Sequence, residues 1–143
     1  MNVLIALDLS ENAAGVLDKT VGLLQGALGK VWLLHVAAPA PDFVGYEVDP
    51  EVMRQQVAEG YHREHRQLQA MAENLRARGL DATALLVQGE TAKTIVQEAE
   101  KLGADMIVAG TRRHGVWRRL LLGEVDGDGL SAAGKPVLLV PVL

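Results

Sequence analysis

The chain contains no cysteine among its 143 residues, which excludes disulfide bonds, thiolate metal sites and cysteine nucleophiles. Aromatic residues make up only 3%, so the core is expected to be aliphatic. No apolar run approaches the roughly 18 residues that a membrane helix needs. The opening segment, MNVLIALDLS, lacks a basic stretch and reaches Asp8 early, which disfavours a signal peptide. The composition therefore predicts a cytoplasmic protein without a membrane partner.

Acidic residues outnumber basic ones by 18 to 14, which gives the chain a net charge of −4. An acidic balance argues against a domain that binds nucleic acid through its whole surface. The segment TRRHGVWRR (111–119) has arginines around a tryptophan. It resembles a small nucleic-acid-binding patch. Four arginines in an acidic domain are thin support, so we expect no nucleic-acid partner.

Short apolar runs alternate along the chain with stretches of helical periodicity. Because the runs are apolar on both faces, they are typical of parallel strands covered by helices on both sides. The alternation predicts an α/β doubly wound sheet, and the length fits a single domain over residues 1–143. The predicted strands are 2–7, 30–36, 81–87, 105–110 and 136–142.

Periodicity with capping and stop residues predicts four helices between these strands. The first carries apolar residues from Leu17 to Leu28 and stops at Gly29. The second starts at Pro50 after an N-cap at Asp49 and stops at Gly79. The third is capped by Thr91 and stops at Gly103, and the fourth runs from about Val116 into Leu122.

In a doubly wound sheet, ligands bind beyond the carboxyl ends of the strands, where the strand order reverses. The first strand is followed by DLSEN rather than by a Gly-x-Gly-x-x-Gly fingerprint, and no Gly-x4-Gly-Lys-Ser/Thr or Gly-x-Ser-x-Gly motif occurs. No nucleophile lies near a candidate base in the sequence. We therefore expect no catalytic residues and no enzyme. Asp8 could accept hydrogen bonds from a ribose, or Asp8 or Ser10 could cap the following helix.

The segment GTRRHGVWRRLLLGEVDGDG (110–129) is rich in glycine and arginine after an apolar run. Guanidinium groups can hold a phosphate as well as backbone N–H groups do. The other interpretation is that these arginines form the solvated face of a helix and pair with nearby acids. The charged residues, which sum to +1, are Arg112, Arg113, Arg118, Arg119, Glu124, Asp126 and Asp128.

Four stretches, NVLIALDLSENA, LLHV, QGETAKTIVQEAEKLGADMIVAGT and LLLGEV…KPVLLVPV, resemble the universal stress protein family over essentially the full chain. The resemblance implies an adenine-nucleotide alpha-hydrolase-like fold with strand order 3-2-1-4-5. In that order Asp8 and Gly110 would face one cleft, and the backbone near Val36 would contact adenine. Family members are regulatory proteins of the stress response, many are dimers, and some bind ATP while others do not.

Members that bind ATP carry Gly-x2-Gly-x9-Gly-Ser/Thr after the fourth strand, and this chain matches that motif only in part. Gly110 and Gly123 occupy two glycine positions, whereas Arg113 replaces the middle glycine and Glu124 the hydroxyl residue. A carboxylate repels a phosphate, and an arginine is penalised where φ is positive. We therefore expect weak or no ATP binding and no resident cofactor. The alternative is an ATP-binding switch or slow ATP hydrolase, with Mg²⁺, in which Arg112 and Arg113 replace the missing groups.

The last apolar run, PVLLVPVL, would form an edge strand in the order 3-2-1-4-5. An exposed hydrophobic edge is a liability unless it is covered, and the resemblance implies pairing with a second copy. We expect a homodimer, besides a regulatory partner that the sequence does not identify. The interface is predicted in or beside Val137, Leu138, Leu139 and Val140.

Two further patterns could bind metal but are interpreted otherwise. His62 and His65 lie three residues apart on the second helix, where the segment is densely charged and a third ligand is missing. The run EVDGDG (124–129) begins like a calcium loop, but Lys135 occupies the position of its closing glutamate. We therefore expect no metal site.

Overall fold

The computed structural model describes residues 1–9, 12–37, 50–111 and 130–141. Every predicted strand is confirmed, and each boundary agrees within one residue. The elements are β1 (Val3–Ala6), α1 (Ala13–Leu23), β2 (Lys30–Ala37), α2 (Pro50–Ala77), β3 (Asp81–Gln88), α3 (Thr91–Leu102), β4 (Met106–Thr111), a 3₁₀ helix (Leu130–Ala133) and β5 (Val137–Pro141).

The five strands form one parallel sheet in the order β3-β2-β1-β4-β5. The family resemblance implied this order, and the structure confirms it. The order reverses between β1 and β4, which are adjacent strands although they are far apart in sequence. The register pairs Ala6 of β1 with Leu34 of β2 on one side and with Ala109 of β4 on the other. The carboxyl ends of β1, β2 and β4 therefore lie at one edge of the sheet, where this fold class binds ligands.

The strand residues alternate between two apolar layers, one on each face of the sheet, as strands covered on both sides must. Val3, Ile5 and Leu33 face α1 and α2, whereas Leu4 and Leu34 face α3 and the 3₁₀ helix. Both layers are aliphatic except for Trp32, which is 9% exposed. Aliphatic side chains are thus enough to build the core, because helices cover both faces of the sheet.

Two predicted helix boundaries are wrong, and each has a local cause. Helix α1 ends at Leu23 rather than near Leu28, because Leu24 already leaves the helical region and turns follow. Leu24 and Leu28 still pack on the core from these turns, so the apolar period continued past the helix. The N-cap of α3 is Glu90 rather than Thr91, which is the first helical residue.

Other helix signals are confirmed. Helix α2 starts at Pro50, where proline's missing N–H has no cost. Helix α3 ends at Gly103, whose φ of 68° is the left-handed conformation that glycine adopts readily. The predicted fourth helix lies outside the described residues, and the 3₁₀ helix Leu130–Ala133 was not predicted. In the part of the chain that the structure describes, no helix is long and apolar enough to cross a membrane.

Gly89 links β3 to α3 at a point with no room for a side chain. A methyl group built there would overlap the hydroxyl of Thr94, which is buried at 6% exposure. We expect Gly89→Ala to lower the free energy of unfolding by about 1–3 kcal/mol, because the overlap forces a shift in a packed region. Urea unfolding is the measurement. Adding Thr94→Ala should recover part of the loss, and an additive double variant would contradict this explanation.

Candidate functional site

Three of the predicted nucleotide-binding residues lie at the carboxyl edge of the sheet. Asp8 and Val36 each come two residues after the paired residues Ala6 and Leu34, and the Leu7 N–H continues the alignment by donating to the Leu34 carbonyl at 2.8 Å. Gly110 directly follows Ala109, the partner of Ala6 on the other side. The structure thus brings Asp8, Val36 and Gly110 to the crevice where the strand order reverses.

The chain turns sharply immediately after Asp8, which is exposed. Leu9 has φ of 57°, the only positive value among the described non-glycine residues. A bulky residue in this conformation costs about 1–2 kcal/mol, which the packing of Leu9 against the core offsets. The N-cap of α1 is Asn12 rather than Asp8. Asp8 therefore lies in a fixed turn ahead of the helix and is not its N-cap residue.

His35 joins β2 to the end of β1 through a side-chain hydrogen bond. Its Nδ1 lies 2.7 Å from the carbonyl oxygen of Leu7, the residue before Asp8. Because a carbonyl only accepts, Nδ1 must carry a hydrogen and donate it. Nε2 of the same ring lies 3.4 Å from Oε2 of Glu64 on α2, and the His35 side chain is 13% exposed. No spacing in the sequence indicates this contact between His35 and Glu64.

A second side chain of α2 contacts the same level of the sheet. Tyr61 donates its hydroxyl to the carbonyl of Leu86 at 3.1 Å, and Leu86 is the register partner of His35. Tyr61 and Glu64 are three residues apart and lie on the same face of the helix. Further along that face, Leu68, Ala72 and Leu75 are buried. The carboxyl-terminal half of α2 is thus held by apolar packing, and Tyr61 and Glu64 add polar contacts at the sheet edge.

The N-terminus of α3 lies at the same edge, but a side chain from the residue before the helix occupies two of its free N–H groups. The carboxylate of Glu90 accepts from the N–H of Ala92 at 3.2 Å and from that of Lys93 at 2.9 Å. These donors and the positive end of the helix dipole would otherwise attract an anion. The Glu90 carboxylate thus occupies these two N–H groups, which are not free to bind a phosphate.

The remaining predicted nucleotide-binding residues, Arg112, Arg113 and Gly123, lie outside the described residues, as does Glu124. The calcium-like run EVDGDG and the arginine-rich segment lie outside them too. His62 and His65 are exposed, and His65 contacts Gln69 at 3.3 Å. Within the four described ranges, no three histidine or acidic side chains come together in a way that could hold a metal ion.

The two edge strands of the sheet differ in how they are covered. On β3, the Gly89 N–H donates to Ala37, so odd-numbered residues face β2 and even-numbered ones face outward. Two outward carbonyls accept hydrogen bonds from α2, that of Leu86 from Tyr61 and that of Ala82 from Arg76 at 2.9 Å. Side chains of α2 therefore cover much of this edge.

On β5, the hydrogen bond from Ile107 N–H to Pro136 places even-numbered residues toward β4. The N–H and C=O groups of Val137 and Leu139 therefore point away from the sheet. Lys19 of α1 donates to the outward carbonyl of Pro141 at 2.9 Å and covers the end of the strand. Of the predicted interface residues, Val140 is 1% exposed and packs in the core, while Val137, Leu138 and Leu139 are half-buried.

Comparison with known proteins adds relatives of the same length. The universal stress protein family model matches residues 1–141. A universal stress protein of Thermus aquaticus is 32% identical, and the alignment covers 96% of each chain. The universal stress protein YxiE of Bacillus subtilis is 27% identical over 96% of this chain and 97% of its own.

Solved structures are also similar to this chain over nearly its whole length. A universal stress family protein of Burkholderia pseudomallei is 29% identical with a TM-score of 0.69, over 99% of this chain and 96% of its own. An Arabidopsis thaliana family member with AMP bound has 22% identity, a TM-score of 0.62, and 100% and 92% coverage. The Archaeoglobus fulgidus protein with dAMP has 21% identity, a TM-score of 0.59, and 97% and 96% coverage. The chain belongs to the universal stress protein family.

Proposed function

We propose that this chain is a cytoplasmic, homodimeric regulatory protein of the stress response, not an enzyme, and that it takes an adenine nucleotide in its β1–β4 crevice. In this proposal ATP binds weakly or not at all. The observation that carries it is that Asp8, Val36 and Gly110 lie side by side at the switch point. In the strand register they are within two residues of one another. Two neighbours of this fold are complexes with AMP and dAMP, and a third is a complex with cAMP.

The nucleotides in those neighbours carry one phosphate. This chain has the residues predicted to contact adenine and ribose, but only part of the motif that binds the phosphates of ATP. Adenine and ribose would be met at the ends of β1 and β2, where Asp8 and the Val36 backbone lie. The motif positions that differ, Arg113 and Glu124, belong to the phosphate loop. A monophosphate depends less on that loop than a triphosphate does, so we expect the loss of the motif to reduce ATP affinity more than AMP affinity.

Calorimetric titration tests this proposal with three ligands: ATP with Mg²⁺, AMP and adenosine. We expect AMP to bind at least as tightly as ATP, because the phosphate loop contributes little to either. An ATP dissociation constant in the low micromolar range, or ATP retained through purification, would contradict weak ATP binding. Absence of binding by all three ligands would remove the nucleotide from the proposed function.

The second candidate is an ATP-binding switch or slow ATP hydrolase that uses the same crevice. It is supported by the four arginines of residues 110–129, since a guanidinium group binds phosphate oxygens in pairs. In this candidate Arg112 and Arg113 replace the missing backbone and hydroxyl donors, and Mg²⁺ accompanies the nucleotide. Release of inorganic phosphate from ATP, measured over hours, separates it from the first candidate.

The homodimer is proposed through β5. The outward backbone groups of Val137 and Leu139 follow from the β4–β5 ladder, whereas two outward carbonyls of β3 are already bonded to α2. Pro141 cannot donate an outward hydrogen bond and limits the pairing to the part from Val137 to Val140. A short apolar edge suits a two-fold contact with a second copy. Val140 lies beside this surface rather than in it.

A further inference from the structure

Polar contacts of α2 with the sheet form a line that crosses three strands and ends at the candidate site. It begins at the carbonyl of Leu86 on β3, which accepts from Tyr61. It continues at Glu64, which lies next to the imidazole of His35 on β2. It ends at the carbonyl of Leu7 after β1, which accepts from the other nitrogen of that ring. The next residue is Asp8.

We infer that His35 is a positioning residue for the nucleotide crevice and that Glu64 links it to the middle of α2. This inference rests on the proposed function, because it concerns the residues that would contact the nucleotide. His35 is not proposed to contact the base or the phosphate of the nucleotide. It acts through the backbone of Leu7, which holds the turn that presents Asp8.

The hydrogen bond from His35 acts together with the packing of Leu9 on the core to hold a strained backbone. Leu9 has φ of 57°, so the chain relaxes to an ordinary conformation if nothing holds it. The Leu7 N–H is bonded to Leu34 and the Leu7 carbonyl to His35, so both backbone groups of this residue are fixed to β2. His35 is followed by Val36, the other predicted contact. The His35 side chain thus adds a second link, beside the Leu7–Leu34 backbone hydrogen bond, between the two strand ends that would hold adenine and ribose.

Helix α2 enters because Glu64 contacts the ring from outside, and its carboxylate attracts Nε2 when both ring nitrogens carry a hydrogen. The Glu64 carboxylate, whose side chain is 37% exposed, is at ion-pair distance from Nε2. A shift of the middle of α2 would move Glu64 and Tyr61 together, since they lie one turn apart on one face of the helix. The orientation of His35, and through it the Leu7 carbonyl, would follow. The crevice is therefore coupled to the position of α2.

Four variants test this inference. His35→Ala removes the donor, and His35→Asn restores a side-chain N–H near the position of Nδ1. Glu64→Ala removes the outer support without altering a strand. His65→Ala is the matched control, because His65 is exposed and one residue from Glu64. The readouts are hydrogen exchange of the Leu7 amide, measured by NMR without ligand, and AMP affinity by calorimetry.

We expect His35→Ala to speed exchange of the Leu7 amide and to weaken AMP binding, each by about 10-fold, as loss of a partner for a buried carbonyl does. His35→Asn should restore most of both values, Glu64→Ala should have a smaller effect in the same direction, and His65→Ala should have none. A His35→Asn variant no better than His35→Ala would overturn the inference, because the ring would then act by packing. Faster exchange with unchanged AMP affinity would overturn it as well.

Failure of the proposed function gives a different pattern. If the wild-type chain binds neither AMP nor ATP, the nucleotide proposal falls. The exchange measurements then decide the positioning role alone, because they need no ligand. Unchanged Leu7 exchange in both His35→Ala and Glu64→Ala would overturn the link between α2 and the Asp8 turn, even in a protein that binds AMP.

Discussion

The double variant Arg113→Gly with Glu124→Ser is expected to raise ATP affinity between about 5-fold and about 700-fold. A carboxylate about 4 Å from a phosphate charge costs about 1 kcal/mol in water and about 4 kcal/mol at an effective dielectric of 20, and each 1.4 kcal/mol is a factor of ten. Serine also supplies a donor where glutamate accepts. Glycine allows the positive φ that favours close approach of backbone N–H groups to phosphate. Calorimetric titration with ATP and Mg²⁺ measures the change.

Adenosine is the matched control ligand for this variant. It has no phosphate, so its affinity should be the same in the wild-type and double-variant proteins. A parallel gain for adenosine would mean that the substitutions reshape the whole crevice instead of the phosphate loop. An ATP affinity that does not change would contradict the alignment of residues 110–124 with the family motif.

The single variants separate the two candidate functions. If arginines replace the lost motif groups, Arg113→Ala should weaken ATP binding while Glu124→Ser strengthens it. If the loop is simply degenerate, Arg113→Ala should leave the weak binding unchanged. No effect of either substitution would remove the arginine-based site, because neither charge would then be near a phosphate.

Much of the architecture could be predicted from short-range patterns. Apolar runs such as residues 30–36 gave strand positions within one residue, because a strand buried on both faces has few polar positions. Gly103 and Pro50 marked helix ends because each residue has a backbone conformation or a missing donor suited to one end only. The strand order did not follow from these patterns. It came from the family resemblance, since periodicity within one element does not determine which strands are neighbours.

The errors and omissions have physical causes of the same kind. Leu24 and Leu28 continue the apolar period of α1 although the helix has ended, since turns can also place leucine on a core. Glu90 rather than Thr91 caps α3, because its longer carboxylate reaches two N–H groups at once. The contact between His35 and Glu64 joins residues 29 positions apart. No local spacing indicates such a contact, so the link between α2 and the crevice needed the structure.

The predicted dimer should dissociate when the free edge of β5 is altered. Val137→Lys places a charge on a half-buried edge position, a device by which natural edge strands avoid pairing. Leu139→Pro removes one outward N–H without touching the groups that face β4. Burial of about 400 Å² of apolar surface per subunit gives roughly 20 kcal/mol of gross transfer energy, against an association cost of about 4–15 kcal/mol. Because this margin is narrow, we expect each substitution to turn the dimer into a monomer at micromolar concentration in sedimentation experiments.

Thr83→Lys is the matched control, because Thr83 is exposed on β3, the opposite edge of the sheet. It should leave the dimer intact, since two outward carbonyls of this strand, at Ala82 and Leu86, are bonded to α2. Circular dichroism must show that each variant keeps its fold, and Val140→Lys is avoided because Val140 is 1% exposed in a single chain. If the wild-type protein sediments as a monomer at micromolar concentration, the dimer proposal is wrong. Folded Val137→Lys and Leu139→Pro variants that are still dimeric would place the contact on another surface.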